Sequence, residues 1–258
     1  TSNGLAVLNP TGTAYPWNIT EGRIDQVSSE PPLFKTYFLD PTRAAESPKR
    51  IHSLAQDGTG QIYAAGSRGV YRVVKNDGEW SLQKIAFEDW EPKTVAINLL
   101  FTDSRKDVWI GTSNGVYRTT KSGEIQQILD TGSNSIFEDR DGRMWIDSGG
   151  ADFGIRILEV AQDTSNVVLV KTLTTKDGFA QNKFTNAIAN TKDGRIFVTS
   201  QNKLYESFPD ATSASGRQFK LLENTVVRAT TDLSGNVWFI IGGRGVAKYS
   251  PSSFVIYD

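Results

Sequence analysis

Ser135-Ile-Phe-Glu-Asp-Arg-Asp-Gly-Arg-Met-Trp-Ile146 is the stretch whose reading decides the fold. A short apolar strand runs into the polar turn Asp139 to Gly142, and Trp145 then opens a second strand. The pair Asp141-Gly142 tolerates the positive φ that a tight hairpin turn demands. The unit continues through a glycine-rich turn to a third strand ending near Arg156.

Four other segments repeat this unit: Ser53 to Arg72, Asn98 to Arg118, Asn186 to Glu206 and Arg228 to Lys248. Their aromatics fall in register with Trp145 as Tyr63, Trp109, Phe197 and Trp238. Runs such as Val108-Trp-Ile110 and Ile196-Phe-Val198 are β-branched and aromatic, and helical periodicity is absent nearly everywhere. A weaker fourth strand precedes each new unit, at Ser81–Ala86, Glu124–Leu129, Val167–Leu173 and Phe219–Glu223. Four antiparallel strands repeating at roughly forty residues predict an all-β protein, a β-propeller of four-stranded blades. A β-sandwich does not repeat its own turn motif five times. A parallel solenoid has shorter coils, of about 20–30 residues.

Five blades are clear over residues 51–258, and residues 1–50 form a partial or irregular first blade and a linker. On one reading Thr1-Ser-Asn-Gly4 repeats Thr112-Ser-Asn-Gly115, so the chain opens in mid-blade and belongs to a larger propeller. On the other, Leu5–Leu8, Thr13–Trp17, Arg23–Val27 and Phe34–Leu39 make an irregular sixth blade. Asp40–Lys49, with two prolines, reads as a loop on both.

At 258 residues the chain can bury a sizeable core in one domain. Its net charge is −1, with Lys and Arg scattered, which argues against a nucleic-acid surface or a polybasic membrane anchor. There is no cysteine, so disulfides and thiolate metal sites are excluded. No apolar run approaches the ~20 residues that cross a bilayer, so no direct membrane insertion is expected. A start at Thr1 predicts a mature exported protein or a piece of a longer one.

The unit Ser135 to Ile146 resembles the two-component regulator propeller repeat, as does Asp107-Val-Trp-Ile-Gly-Thr-Ser-Asn-Gly-Val-Tyr-Arg118. Thr175-Lys-Asp-Gly-Phe-Ala-Gln-Asn182 is similar to the segment that precedes a blade in that family. The resemblance implies a bacterial, periplasmic sensor domain that relays a signal to an output domain of its parent chain. Two departures stand out. Asp107 takes the place of the turn glycine, and Gly149 to Gly154 is longer than its counterparts.

A catalytic constellation is hard to build. The single histidine, His52, excludes Cys–His pairs and multi-histidine metal centres, and no metal or cofactor is expected. His52 heads an inner strand, where a lone histidine is a structural or ligand-contacting group more often than a base. Asp152, Glu91 and Asp89 are pieces of a possible carboxylate pair for glycoside chemistry, but loop carboxylates are ordinarily solvated charges. The Asp-x-x-Gly turns read as hairpins capped by their Asp side chains, and Trp109, Trp145 and Trp238 as inter-blade packing.

In a four-stranded blade the loops alternate between two ends. The Asp-x-x-Gly turns share one; the second-to-third turns and blade-to-blade links share the other, which is the ligand face expected here. It carries His52, Arg68, Trp90, Lys93, Asn134, Asp152, Phe153, Lys183 and Arg244. That mixture of polar and aromatic groups suits a sugar or peptide. The expectation is therefore a non-enzymatic, ligand-binding sensor propeller, recognising a small molecule or oligosaccharide. A protein-interaction scaffold and a propeller lyase or glycoside-active enzyme are the alternatives.

Overall fold

Five meanders of four antiparallel strands account for residues 51–257 of the computed structural model. The structure describes residues 5–8, 17–20, 23–26, 34–37, 51–66, 69–76, 79–85, 95–119, 123–148, 154–161, 166–178, 185–191, 194–200, 202–209, 217–232, 234, 236–250 and 253–257. The first blade is β5 (Ile51–Gln56), β6 (Ile62–Gly66), β7 (Gly69–Asn76) and β8 (Glu79–Lys84). The second is β9 (Ile97–Thr102), β10 (Val108–Thr112), β11 (Val116–Thr119) and β12 (Ile125–Leu129). In the third, β13 (Ile136–Glu138), β14 (Met144–Ser148), β15 (Gly154–Val160) and β16 (Val167–Leu173) follow. The fourth holds β17 (Thr185–Asn190), β18 (Ile196–Ser200), β19 (Lys203–Pro209) and β20 (Arg217–Asn224). The fifth holds β21 (Val226–Thr231), β22 (Val237–Ile241), β23 (Gly245–Ser250) and β24 (Ser253–Tyr257). The weakly patterned fourth strands drift from expectation by up to two residues at their starts, as at β8 and β20.

Ahead of the blades lie β1 (Leu5–Leu8), β2 (Trp17–Thr20), β3 (Arg23–Gln26) and β4 (Phe34–Tyr37). They do not follow one another as a blade does. β1 pairs with β4 and β2 with β3, giving a hairpin nested inside a two-stranded pair. β2 at Trp17–Thr20 begins where the expected strand Thr13–Trp17 ends, and residues 13–16 and the linker Asp40–Lys49 lie outside the described residues.

Each blade is held by its turn. Asp139 Oδ1 accepts the backbone N–H groups of Asp141 and Arg143 at 2.9 Å, while its Oδ2 accepts Trp145 Nε1–H at 2.8 Å. Asp103 binds Asp107 N–H and Trp109 Nε1–H the same way, each at 2.9 Å. Asp232 binds Asn236 N–H and Trp238 Nε1–H, and these bonds hold its carboxyl well below the usual range. In the first blade the ring donor is a phenol: Tyr63 OH donates to Asp57 Oδ2 at 3.0 Å. In the fourth, Phe197 offers no donor, and a threonine replaces the aspartate. Thr191 Oγ1 accepts Arg195 N–H at 3.1 Å.

The turn's closing residue has positive φ: Gly60 (87°), Lys106 (71°), Gly142 (78°) and Gly194 (83°). Lys106, and not Asp107, therefore stands in the glycine's place. Asp107 lies one residue on and pairs with Arg118.

The ring that the turn aspartate positions fills the seam to the next blade. Tyr63 packs with Ile97, Val108 and Ile110 of the second blade; Trp109 packs with Ile136, Met144 and Ile146 of the third. Trp145 packs with Ile196 and Val198, and Phe197 with Phe239 and Tyr249. Trp109 and Trp145 are essentially sealed from solvent. On the outward face of the fifth blade, Ile240 and Val246 remain 49% and 40% exposed, whereas the matching Ala65 and Val70 of the first blade are fully buried.

Asp139→Ala orphans a buried indole N–H as well as uncapping the turn, and should cost about 2–3 kcal/mol of unfolding free energy. Thr191→Ala has no indole to orphan and should cost about 1 kcal/mol or less. Urea unfolding of both variants checks this; equal costs would show that the indole bond contributes nothing.

Candidate functional site

Because each blade is a meander, its first-to-second turns gather at one end of the propeller. Its second-to-third turns gather at the other end with the blade links. Of the residues expected on that link end, His52, Asn134 and Arg244 are described, on the first, third and fifth blades, and all three are exposed. Arg68, Trp90, Lys93, Asp152, Phe153 and Lys183 lie outside the described residues.

His52 has a structural duty. Its Nε2–H donates to the Ile97 carbonyl at 2.8 Å, joining the head of β5 to the head of β9. The carbonyl can only accept, so the proton resides on Nε2. Asn98, in the same register one blade on, repeats the bond: its Nδ2 donates to the Ser133 carbonyl at 2.8 Å. At the other end of the first seam, Thr102 Oγ1 donates back to the Gln56 carbonyl at 3.0 Å.

The most organised part of the link end is the segment Asp130–Ser135, which joins the second blade to the third. Its Gly132 sits so close to the β10–β11 turn that a Cβ there would lie 2.2 Å from the Ser113 carbonyl oxygen. Ser133 N–H donates to the Thr112 carbonyl at 2.9 Å, and Arg156 Nη1 donates to Thr131 Oγ1. Beneath the segment lies Asp147 on β14, 3% exposed. Its Oδ1 accepts the N–H groups of Asn134 and Ser135, each at 2.8 Å, and lies 2.5 Å from Ser133 Oγ. Burial pushes its pKa up to about 6 against those stabilising hydrogen bonds. Asp147 was not foreseen from the sequence. The signal was an acid inside a strand, in the register held elsewhere by Ala65, Gly111, Thr199 and Ile240.

This scaffold holds two exposed amides above it. Asn114 Oδ1 lies 3.0 Å from Thr112 Oγ1, which shares its one proton with the Gly115 carbonyl at 2.8 Å, and the Nδ2 donors of Asn114 remain. Asn134 is fixed through its backbone by Asp147, and among the described residues its side-chain amide meets no partner. Amides of this kind give and accept hydrogen bonds without changing protonation, which suits recognition of hydroxyl or amide groups. Ser133 is 1% exposed and so is withdrawn from substrate chemistry. Among the described residues no three His, Asp or Glu side chains are grouped to hold a metal, and no helix is long and apolar enough to cross a membrane.

Comparison with known proteins agrees with the blade reading. Residues 127–150, which include the segment just described and the first hairpin of the third blade, match the model of the two component regulator propeller. The extracellular domain of a B. thetaiotaomicron protein assigned as a hybrid two component system superposes with a TM-score of 0.61 at 19% identity. That likeness covers 100% of this chain and 34% of the other, so the chain spans about a third of that neighbour. Virginiamycin B lyase from Staphylococcus aureus gives 0.54 at 17% identity, covering 81% of this chain and 69% of the lyase. A gluconolactonase from Xanthomonas campestris gives 0.52 at 12%, covering 80% and 72%. At these identities the likenesses show the propeller fold. No curated protein sequence matches the chain.

A carboxyl whose folded pKa is raised from about 4 to about 6 binds its proton more tightly in the fold than in the unfolded chain. Its effect on stability is therefore most favourable below about pH 4 and is lost as pH rises towards 6, by about 3 kcal/mol in all. Asp147→Asn should remove this component. The stability difference between wild type and Asp147→Asn, followed by denaturant unfolding at successive pH values, should slope across that window. A flat difference would rule out the raised pKa.

Proposed function

We propose, from the match of residues 127–150 to the two component regulator propeller, that this chain is the sensory propeller of an exported bacterial signalling protein. It binds an uncharged, hydroxyl-rich small molecule such as an oligosaccharide on its link end, and the output domain lies elsewhere in the parent protein. The observation that carries this reading is the Asp130–Ser135 segment. A buried carboxylate, a close-packed glycine and Arg156 fix it from below, while Asn114 and Asn134 stand exposed above it. Rigid support under exposed polar side chains is what a recognition surface needs, since the ordering cost is met before the ligand arrives.

Two further points favour binding over turnover. The only histidine is bonded to a neighbouring blade's backbone through Nε2, so its role is already accounted for. Among the described residues, the one carboxylate with a pKa lifted towards neutrality is Asp147, sealed beneath the surface with Oδ1 bound to the segment above it.

Calorimetry against a panel of neutral oligosaccharides tests the proposal. A ligand should bind, and Asn134→Ala should weaken it by about tenfold while leaving the unfolding midpoint unchanged. Failure of every glycan to give heat, or affinity indifferent to Asn134→Ala and Asn114→Ala alike, would sink the reading.

A further inference from the structure

At the opposite end, between the turns of the first and second blades, the surface opens into a cleft of about 450 Å³. The first blade contributes Asp57, Tyr63 and Arg72; the second contributes Lys106, Asp107 and Thr119. The cleft arises where the repeat changes residues. Tyr63 takes the place of the larger tryptophans, and its OH reaches Asp57 as their indoles reach their aspartates. Arg118, in the register of Arg72 one blade on, lies against the Trp109 ring at 5.5 Å and is drawn inward to Asp107. Arg72 instead stays half-buried at the cleft wall, with Nη2 donating to the Gly123 carbonyl at 3.0 Å.

The acids and bases of this cleft are not equally committed. Asp57 already accepts four donors: the N–H groups of Thr59 and Gln61, the Thr59 hydroxyl and the Tyr63 hydroxyl. Burial opposes ionisation of Asp57, yet those bonds, Thr59 foremost, hold its pKa below the usual value. Asp107 is bonded to Arg118. Arg105 turns away to Glu138 and to the Gly142 and Val160 carbonyls. Lys106 is exposed at the rim, and among the described residues its ammonium has no acidic partner. The carboxylates are spent inside the protein, whereas Lys106 and Arg72 both line the cleft, Arg72 with further bonds to the Gly123 carbonyl and the Tyr63 hydroxyl.

We propose that this inter-blade cleft is a second binding site, for a small hydroxylated oxyanion of the sugar-acid type. Lys106 and Arg72 would take the carboxylate by charge-assisted hydrogen bonds. The hydroxyls would meet Thr59, Tyr63 and the Gln61 Oε1, whose amide NH₂ is already donating to the Ile62 and Val73 carbonyls at 2.8 Å. The volume suits a ligand of one or two sugar units. Such a ligand would bridge the first blade to the second.

The test uses the intact chain with glucuronate, inorganic phosphate and glucose as probes in calorimetry. Glucuronate should bind, phosphate should compete with it more weakly, and glucose should give no heat. Arg72→Gln and Lys106→Asn should each weaken glucuronate by about tenfold or more. Asparagine at 106 tolerates the positive φ of that position, so this variant remains informative if Arg72→Gln fails to fold. Asn134→Ala should leave glucuronate binding intact, which separates this site from the link end. Equal binding of glucose, no binding of either anion, or affinity unchanged in both cleft variants would overturn the proposal.

Discussion

The hydrogen bond from an aromatic ring to a turn aspartate six residues earlier is the constraint on which the rest of the structure depends. One carboxylate does two jobs at once. One oxygen caps the backbone of the first hairpin, and the other fixes the ring that fills the seam to the next blade. Local turn chemistry and inter-blade packing are thereby set by the same side chain, which is why the unit can be repeated with little else held constant. The fourth blade makes the case by exception. With phenylalanine at 197 there is no ring N–H or O–H to receive, and threonine at 191 still caps the backbone of its turn.

That coupling also explains what could be read from the sequence. Asp139, Gly142 and Trp145 mark a strand boundary, a positive-φ position and a core ring within a few residues. Five copies in register leave little freedom for another architecture. Of the tryptophans anticipated as inter-blade packing, Trp109 and Trp145 do pack there. Where two signals conflicted, the local reading slipped by one residue. Asp107 drew attention as the odd residue in its turn, while the strained position is held by Lys106.

The candidate sites were less legible, for a physical reason. Placement at the link end follows from meander topology, so His52, Asn134 and Arg244 could be assigned an end but not a role. His52 proved to bond a carbonyl forty-five positions along the chain, a partner that no local pattern reveals. The cleft at the turn end depends on Tyr63 being smaller than tryptophan and on Arg72 and Arg118 choosing different partners. Neither fact exists until two blades stand side by side. Asp147 is intermediate: its strangeness within a strand was visible, but its role under the Asp130–Ser135 segment required the fold.

The side-chain bonds across the first seam have one further consequence. At the link end His52 donates forward, from the first blade to the second; at the turn end Thr102 donates backward, from the second to the first. Two pins of opposite polarity, at opposite ends of adjoining inner strands, resist sliding of one blade along its neighbour. A molecule lodged at either end of this seam would therefore meet two blades already tied to each other.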